Sequence, residues 1–377
     1  MTRVLFVSNG HGEAAIAARL AQELRSRGRF VTEHLALVGE RHSVPGFDDV
    51  GPRRAMPSGG LVAMGNVRAF ARDLRSGFAG LWCGQCAYLT HAGPQYAGIV
   101  AVGDVYALLM AYLARRRPTI FVGTAKSLYV APYGPFERRV MCRATDLFVR
   151  DVPTAQWLRE RGVPAEAPGN VIVDLLDVGD PLPAPDPPML ALFPGSRASA
   201  YPDAVKLAAV ARRVLAARPE YSAVLSVAPT LSVAEVLSRL RADGWDVRSD
   251  DEIFAFRAHH SGVVLHGCTG ELAPLVRLAS IVVGQAGTGN EVAAAAGVPV
   301  VALAASRLGW YRMRQERLLG EALRVVRDDV DLASRAILEL IDSPLTRERM
   351  STVGRERMGG PGGGAAIAEV IAARLAR

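Results

Sequence analysis

The feature that most constrains this chain is an alternation running almost from end to end. Short β-branched runs are each followed by a longer alanine- and leucine-rich stretch with apolar residues at helical spacing. Residues 4–7, 99–102, 120–122 and 147–149 are expected strands. A glycine-bearing loop at 8–13 precedes a helix over about 14–25. Further on, strands at 190–193, 223–227, 262–265, 281–283 and 298–303 alternate with helices, the first over about 203–217. Strands joined through helices pair in parallel and are covered on both faces. The expected class is therefore α/β, with doubly wound parallel sheets.

Residues 181–188 (PLPAPDPP) interrupt the alternation with five prolines in eight positions. Proline fixes φ and removes a donor, so this segment reads as a linker. It divides the chain into an N-terminal domain at 1–180 and a C-terminal domain at 189–358. Residues 359–364 (GGPGGG) read as a flexible break before a terminal helix over 365–375 that packs back on the first domain.

Composition narrows the partners. Of 377 residues, 50% are hydrophobic and 21% charged, as expected of a folded globular chain. Lys plus Arg exceeds Asp plus Glu by 44 to 37, a net charge of +7. That excess fits an anionic small substrate or an anionic membrane surface rather than a nucleic acid. Aromatics are only 6%, too few for base-stacking platforms. Four cysteines make no disulfide framework. The apolar run after Met1 is too short for a signal peptide, which predicts a cytoplasmic chain. The apolar run at 96–114 could imitate a membrane span, but Asp104 interrupts it at a cost.

In an open α/β sheet, ligands sit beyond the carboxyl ends of the strands, so loops after strands carry the chemistry. Phe193-Pro194-Gly195-Ser196-Arg197 is one. Gly195 permits close backbone approach, Ser196 can donate to phosphate oxygens and Arg197 can grip them as a fork. Gly284-Gln285-Ala286-Gly287-Thr288-Gly289-Asn290-Glu291 is the second, a glycine loop opening a helix whose unpaired amides suit an anion. It lacks the lysine of a Walker A loop. Glu291 either complements the helix or accepts from ribose hydroxyls.

Ser8-Asn9-Gly10-His11-Gly12-Glu13 lacks the third glycine of a dinucleotide fingerprint, so no nicotinamide cofactor is expected. It places a titratable pair, His11 and Glu13, instead. Asp104 ends a strand in an apolar region and reads equally as a general base or a helix cap. Trp82-Cys83-Gly84-Gln85-Cys86 imitates a redox motif but ends a helix-like run. No cysteine or histidine spacing suits a metal. The stretch at 61–82 sets Met64, Phe70 and Trp82 among Arg68, Arg72 and Arg75, an amphipathic pattern suited to a lipid or membrane contact.

Together these segments resemble GT-B glycosyltransferases, and among them lipid-A-disaccharide synthase and its related branch. Phe193 to Arg197 resembles that family's Leu-Pro-Gly-Ser-Arg. Gly287-Thr288 with Glu291 resembles its Gly-Thr-x-x-x-Glu. Met64-Gly65 with Val67, and Tyr129-Val130-Ala131-Pro132, resemble further segments. The loop at 8–13 and Arg317-Leu318-Leu319-Gly320 resemble the related branch. The resemblance implies two Rossmann-like domains facing a cleft, with a UDP-sugar as substrate and no separate cofactor. It implies Gly195, Ser196, Arg197, Gly287 and Thr288 near the diphosphate, Glu291 at the ribose and Gln315 at the donor sugar. It further implies inverting transfer to a lipid-linked or amphiphilic acceptor, with Asp104 or His11 as base. The chain would then touch the inner face of the plasma membrane peripherally. Ala107 and Arg68 depart from the family's acids. A UDP-sugar 2-epimerase, using His266 and Glu271, and a silent UDP-sugar-binding protein are the rival expectations.

Overall fold

The computed structural model describes residues 1–39, 46–54, 56, 67–179, 188–249, 254–304 and 309–376. The chain forms two units, one of Met1–Asp174 with Gly359–Arg377 and the other of Leu175–Met358. The proline run lies outside the described residues except for Pro188.

The first unit opens with β1 (Thr2–Ser8), α1 (His11–Arg25), β2 (Phe30–Ala36) and β3 (Phe47–Asp49). Helices α2 (Val67–Arg75) and α3 (Phe78–Ala92) precede β4 (Gly98–Gly103), α4 (Val105–Tyr112) and β5 (Thr119–Gly123). Then come α5 (Pro135–Met141), β6 (Asp146–Val149), α6 (Val152–Arg159) and α7 (Val171–Asp174). The strands form one parallel sheet in the order β3-β2-β1-β4-β5-β6. The chain winds outward from β1 in one direction and from β4 in the other, so β1 and β4 flank the switch point. Leu5, Val7, Leu35, Ile99, Ala101, Phe121 and Leu147 supply the core beneath.

The second unit runs β7 (Met189–Phe193), α8 (Ala200–Ala217), β8 (Ser222–Val227), α9 (Val233–Ala242), β9 (Asp246–Arg248) and β10 (Phe256–His260). It continues with β11 (Val263–Thr269), α10 (Leu272–Leu278), β12 (Ile281–Gly284), α11 (Gly287–Ala296) and β13 (Val300–Ala304). It closes with α12 (Gly309–Leu319), β14 (Leu323–Arg327), α13 (Val330–Asp342) and α14 (Pro344–Met358). The sheet order is β14-β13-β12-β7-β8-β11-β10-β9, with the switch point between β7 and β12. Helix α8 shows why the pattern folds this way. Ala204, Leu207, Ala208, Ala211, Val214 and Leu215 recur at three- and four-residue steps and all are buried.

Several expectations change in detail. Strands β9 and β10 are an antiparallel addition to an otherwise parallel sheet. The β10–β11 hairpin turns on Ser261 and Gly262, both at positive φ, the geometry of a two-residue hairpin loop. Helix α1 starts at His11 rather than near residue 14, because Gly10 (φ 123) breaks the strand and lets the helix begin at once. The stretch at 61–82 is no single helix. Gly77, at φ 90, separates α2 from α3, and residues 57–66 lie outside the described residues. The cysteine pair is inside α3, where the fully buried Gln85 donates to Leu37 O (2.9 Å) and Pro52 O (3.1 Å). The apolar run at 96–114 folds as β4 and α4. Among the described residues, no helix is long and apolar enough to cross a membrane.

The terminal helix α15 (Gly363–Leu375) belongs to the first unit and lies against α1 and α7. Asp174, 3% exposed, fastens its start by accepting from Gly362 N and Gly364 N, both at 2.6 Å. A Cβ on Gly363 would come within 2.4 Å of Gly169 O, so the glycine run is shaped for this docking.

Candidate functional site

In the first unit, the switch point gathers Asn9, Glu13 and Asp104. Asp104 caps α4, accepting from Ala107 N at 3.0 Å through one oxygen. Its other oxygen accepts from Asn9 Nδ2 at 3.0 Å. Burial pushes the Asp104 carboxyl up, against the pull of hydrogen bonds from Ala107, Asn9 and Tyr106. The sequence left Asp104 as a base or a cap; it is a cap whose carboxylate keeps a raised affinity for protons. Glu13 lies in the first turn of α1, and its side chain fills the space that Cβ atoms on Gly10 and Gly103 would need. His11 opens α1, but its side chain is outside the described residues.

A second polar set, not foreseen from the sequence, lies under the same strand ends. Ser8 Oγ is 2.8 Å from His34 Nε2, and His34 Nδ1 is 3.2 Å from Asp49 Oδ1. Arg53 holds Asp49 as a fork at 2.6 and 2.7 Å. His34 also stacks on Phe47, with ring centres 4.8 Å apart. The arrangement has the chemistry of a serine–histidine–aspartate relay, but Ser8 is fully buried, so its hydroxyl meets no solvent-borne substrate. The available signal was a serine and a histidine inside otherwise apolar strands.

In the second unit, the loops after β7 and β12 meet at the switch point. Gln285 N donates to Phe193 O at 2.8 Å, and Ala286 N to the same oxygen at 3.3 Å. Gly195 is at φ 109, and a Cβ there would lie 4.0 Å from Ala286 Cα. Ser196 is half-buried, with its carbonyl accepting from Thr230 Oγ1 at 2.9 Å, and Arg197 is exposed. Gly287, Thr288 and Glu291 are half-buried in the opening turns of α11. Among the described residues no side chain caps α11, whose N-cap is Ala286. The positive end of this helix is thus open to an anion. The tight fit of Gly284 is decisive for the loop, because a Cβ there would fall 1.8 Å from Asn290 Oδ1.

Gln315, expected at a donor sugar from the resemblance, is 5% exposed and bonded to the loop itself. Its Nε2 donates to Ala286 O (3.2 Å) and Gly287 O (3.3 Å). His266 tilts against Phe254, ring centres 4.5 Å apart, and Glu271 precedes α10. Of the expected lipid contacts, Arg72 on α2 is exposed and Trp82 on α3 is 44% exposed. Met64 and the side chain of Phe70 lie outside the described residues. Among the described residues, no group of three His, Cys, Asp or Glu could hold a metal ion.

A scan against protein-family models finds no match, nor does a search of curated proteins. Solved structures do match along their whole length. Staphylococcus aureus MnaA with UDP aligns at TM-score 0.62 and 14% identity, over 100% of this chain and 97% of that one. Neisseria meningitidis UDP-GlcNAc 2-epimerase bound to UDP-GlcNAc aligns at TM-score 0.54 and 13% identity, over 98% and 99%. Phytolacca americana UGT2, complexed with UDP-2-fluoro-glucose and pterostilbene, aligns at TM-score 0.59 and 12% identity, over 100% of both. The fold is GT-B-like.

Proposed function

We propose that this chain is an inverting glycosyltransferase that moves a sugar from a UDP-sugar to an amphiphilic acceptor. The observation that carries the reading is the hydrogen bonding of Gln285 N and Ala286 N to Phe193 O at the end of β7, beside the uncapped N-terminus of α11. Unpaired amides and the helix dipole suit a diphosphate, and Ser196 and Arg197 add a hydroxyl and a fork. Solved neighbours on the same fold hold UDP, UDP-GlcNAc and UDP-2-fluoro-glucose, which favours a uridine diphosphate.

In the proposed reaction, the acceptor oxygen attacks the anomeric carbon as the bond to the diphosphate oxygen breaks. Asp104 or His11 takes the acceptor proton. Amides at Gly287 and Thr288, with Ser196 and Arg197, bear the charge that develops on departing UDP. Glu291 accepts from the ribose, and Glu13 orients His11. Gly195 lets the backbone approach the phosphates. Gln315 shapes the loop instead of holding the sugar. Arg72 and Trp82, with Met64 and Phe70, would meet an amphiphilic acceptor or an anionic membrane face.

Thermal-shift titration tests the donor assignment. UDP and UDP-hexoses should stabilise the chain by about 2.7 kcal/mol at a hundredfold excess over Kd, whereas a preference for NAD overturns it. The likeness to 2-epimerases supports a second reading, in which the same site inverts the sugar's C2. Incubation with UDP-GlcNAc alone separates the two: an epimer formed without acceptor favours the isomerase, and UDP released only with acceptor favours the transferase.

A further inference from the structure

Behind the glycine loop of the second unit lies a buried arginine that none of the motifs includes. Arg312, on α12, is 7% exposed. Its fork donates to two glutamine oxygens, through Nη1 to Gln315 Oε1 at 2.5 Å and through Nη2 to Gln285 Oε1. Gln315 Oε1 also accepts from Asn290 Nδ2 at 3.2 Å, and Asn290 Nδ2 donates to Gly284 O at 3.1 Å. With the bonds from Gln315 Nε2 to Ala286 O and Gly287 O, this one network touches residues 284, 285, 286 and 287 in turn.

The consequence follows from peptide geometry. In a planar trans peptide, a carbonyl and the following N–H point in opposite directions. Holding Ala286 O and Gly287 O inward, on Gln315, therefore turns the amides of Gly287 and Thr288 outward. The same rule accounts for Gln285 N, which reaches Phe193 O while Gly284 O is held by Asn290. A guanidinium stays charged at any physiological pH. Set near the positive end of α11, it opposes the helix dipole, and an anion at that end relieves the conflict. Asp203, in the first turn of α8, also lies within the field of Arg312.

We propose that Arg312 is a positioning residue of the diphosphate site: its fork fixes residues 284–287 with amides outward, and its charge reinforces the end of α11. This rests on the donor-site reading of the same loops. Calorimetric titration of the full chain with UDP, inorganic pyrophosphate and uridine tests it. Arg312→Met should weaken UDP and pyrophosphate by about tenfold or more and leave uridine unchanged within about twofold. Arg312→Lys should recover part of the loss, since an ammonium keeps the charge but lacks the planar fork that holds both glutamines in place. A folded Arg312→Met that binds UDP like the wild type, or loses uridine equally, overturns the proposal. Should Arg312→Met not fold, Gln285→Ala removes one acceptor of the fork; it should weaken UDP several-fold and spare uridine, and unchanged UDP binding overturns the proposal. A wild-type chain that binds neither UDP nor pyrophosphate overturns both readings, whereas wild-type binding with unaffected variants overturns only this one.

Discussion

Ser8 Oγ lies 2.8 Å from His34 Nε2, and both residues are shut off from solvent on adjacent strands. No water can replace the hydroxyl if it is removed. Ser8→Ala should therefore cost about 1–3 kcal/mol, as for a buried hydrogen bond losing one partner. Urea unfolding should show a lower midpoint at an unchanged slope. In a double-mutant cycle with His34→Phe, the pair should couple by about 1 kcal/mol. Additive losses would show that the bond contributes nothing specific.

If Asp104 is the base, stability and activity respond to pH in opposite senses. Its carboxyl is pushed up by burial, so the folded chain holds this proton more tightly than the unfolded one. Its contribution to stability accordingly falls as pH rises from the ordinary carboxylate range through the raised folded value. Asp104→Asn should raise the melting temperature at pH 7, where the charge is a burden, with the gain fading in acid. If Asp104 is the base, the same variant should also abolish the acid limb of kcat/KM, a limb lying above the usual aspartate range. Loss of that limb without the gain in stability would contradict the burial argument.

Gly284 admits no side chain. A methyl group there would overlap Asn290 Oδ1, and Asn290 is fully buried with its amide bonded to Gly284 O and Gln315. Gly284→Ala should cost about 1–3 kcal/mol as an overpacked site. It should also weaken UDP binding, because the displaced Asn290 and Gln315 shape the loop. Normal binding in a destabilised variant would separate the packing from the ligand.

The cysteines should react in two classes. Cys83 and Cys142 are exposed, whereas Cys268 is buried and its thiol is pushed up to about 12 by burial, with Glu271 adding to the rise. At pH 8 iodoacetamide should label Cys83 and Cys142 in the native chain and reach Cys268 only after denaturation. Peptide mapping by mass spectrometry would check this. Early labelling of Cys268 would mean that β11 opens locally.

The strands and the two switch-point loops were legible because parallel sheets demand unbroken β-branched runs and because glycine marks each turn. Residues 190–193 and 281–283 are cases where pattern and structure agree within a residue or so. The β10–β11 hairpin was missed, since its Ser261-Gly262 turn is a faint signal between two short runs. Arg312 and the Ser8–His34–Asp49 set were beyond the sequence for another reason. Their meaning depends on partners distant along the chain, and nothing in YRMRQ or in FVTEHLA says which side chains face inward. Gln315 shows the same limit: its bonds to Ala286 O and Gly287 O join residues distant along the chain, and no motif announces them.

The docking of α15 also has a bearing on birth order at the ribosome. Ile367, Ala368 and Ile371 are buried in the first unit, yet in the chain they follow the whole of the second. The earlier strands of that unit must wait, incompletely clothed, until everything between has emerged. Emergence of α15, rather than synthesis of the unit's own strands, is what finally closes that half.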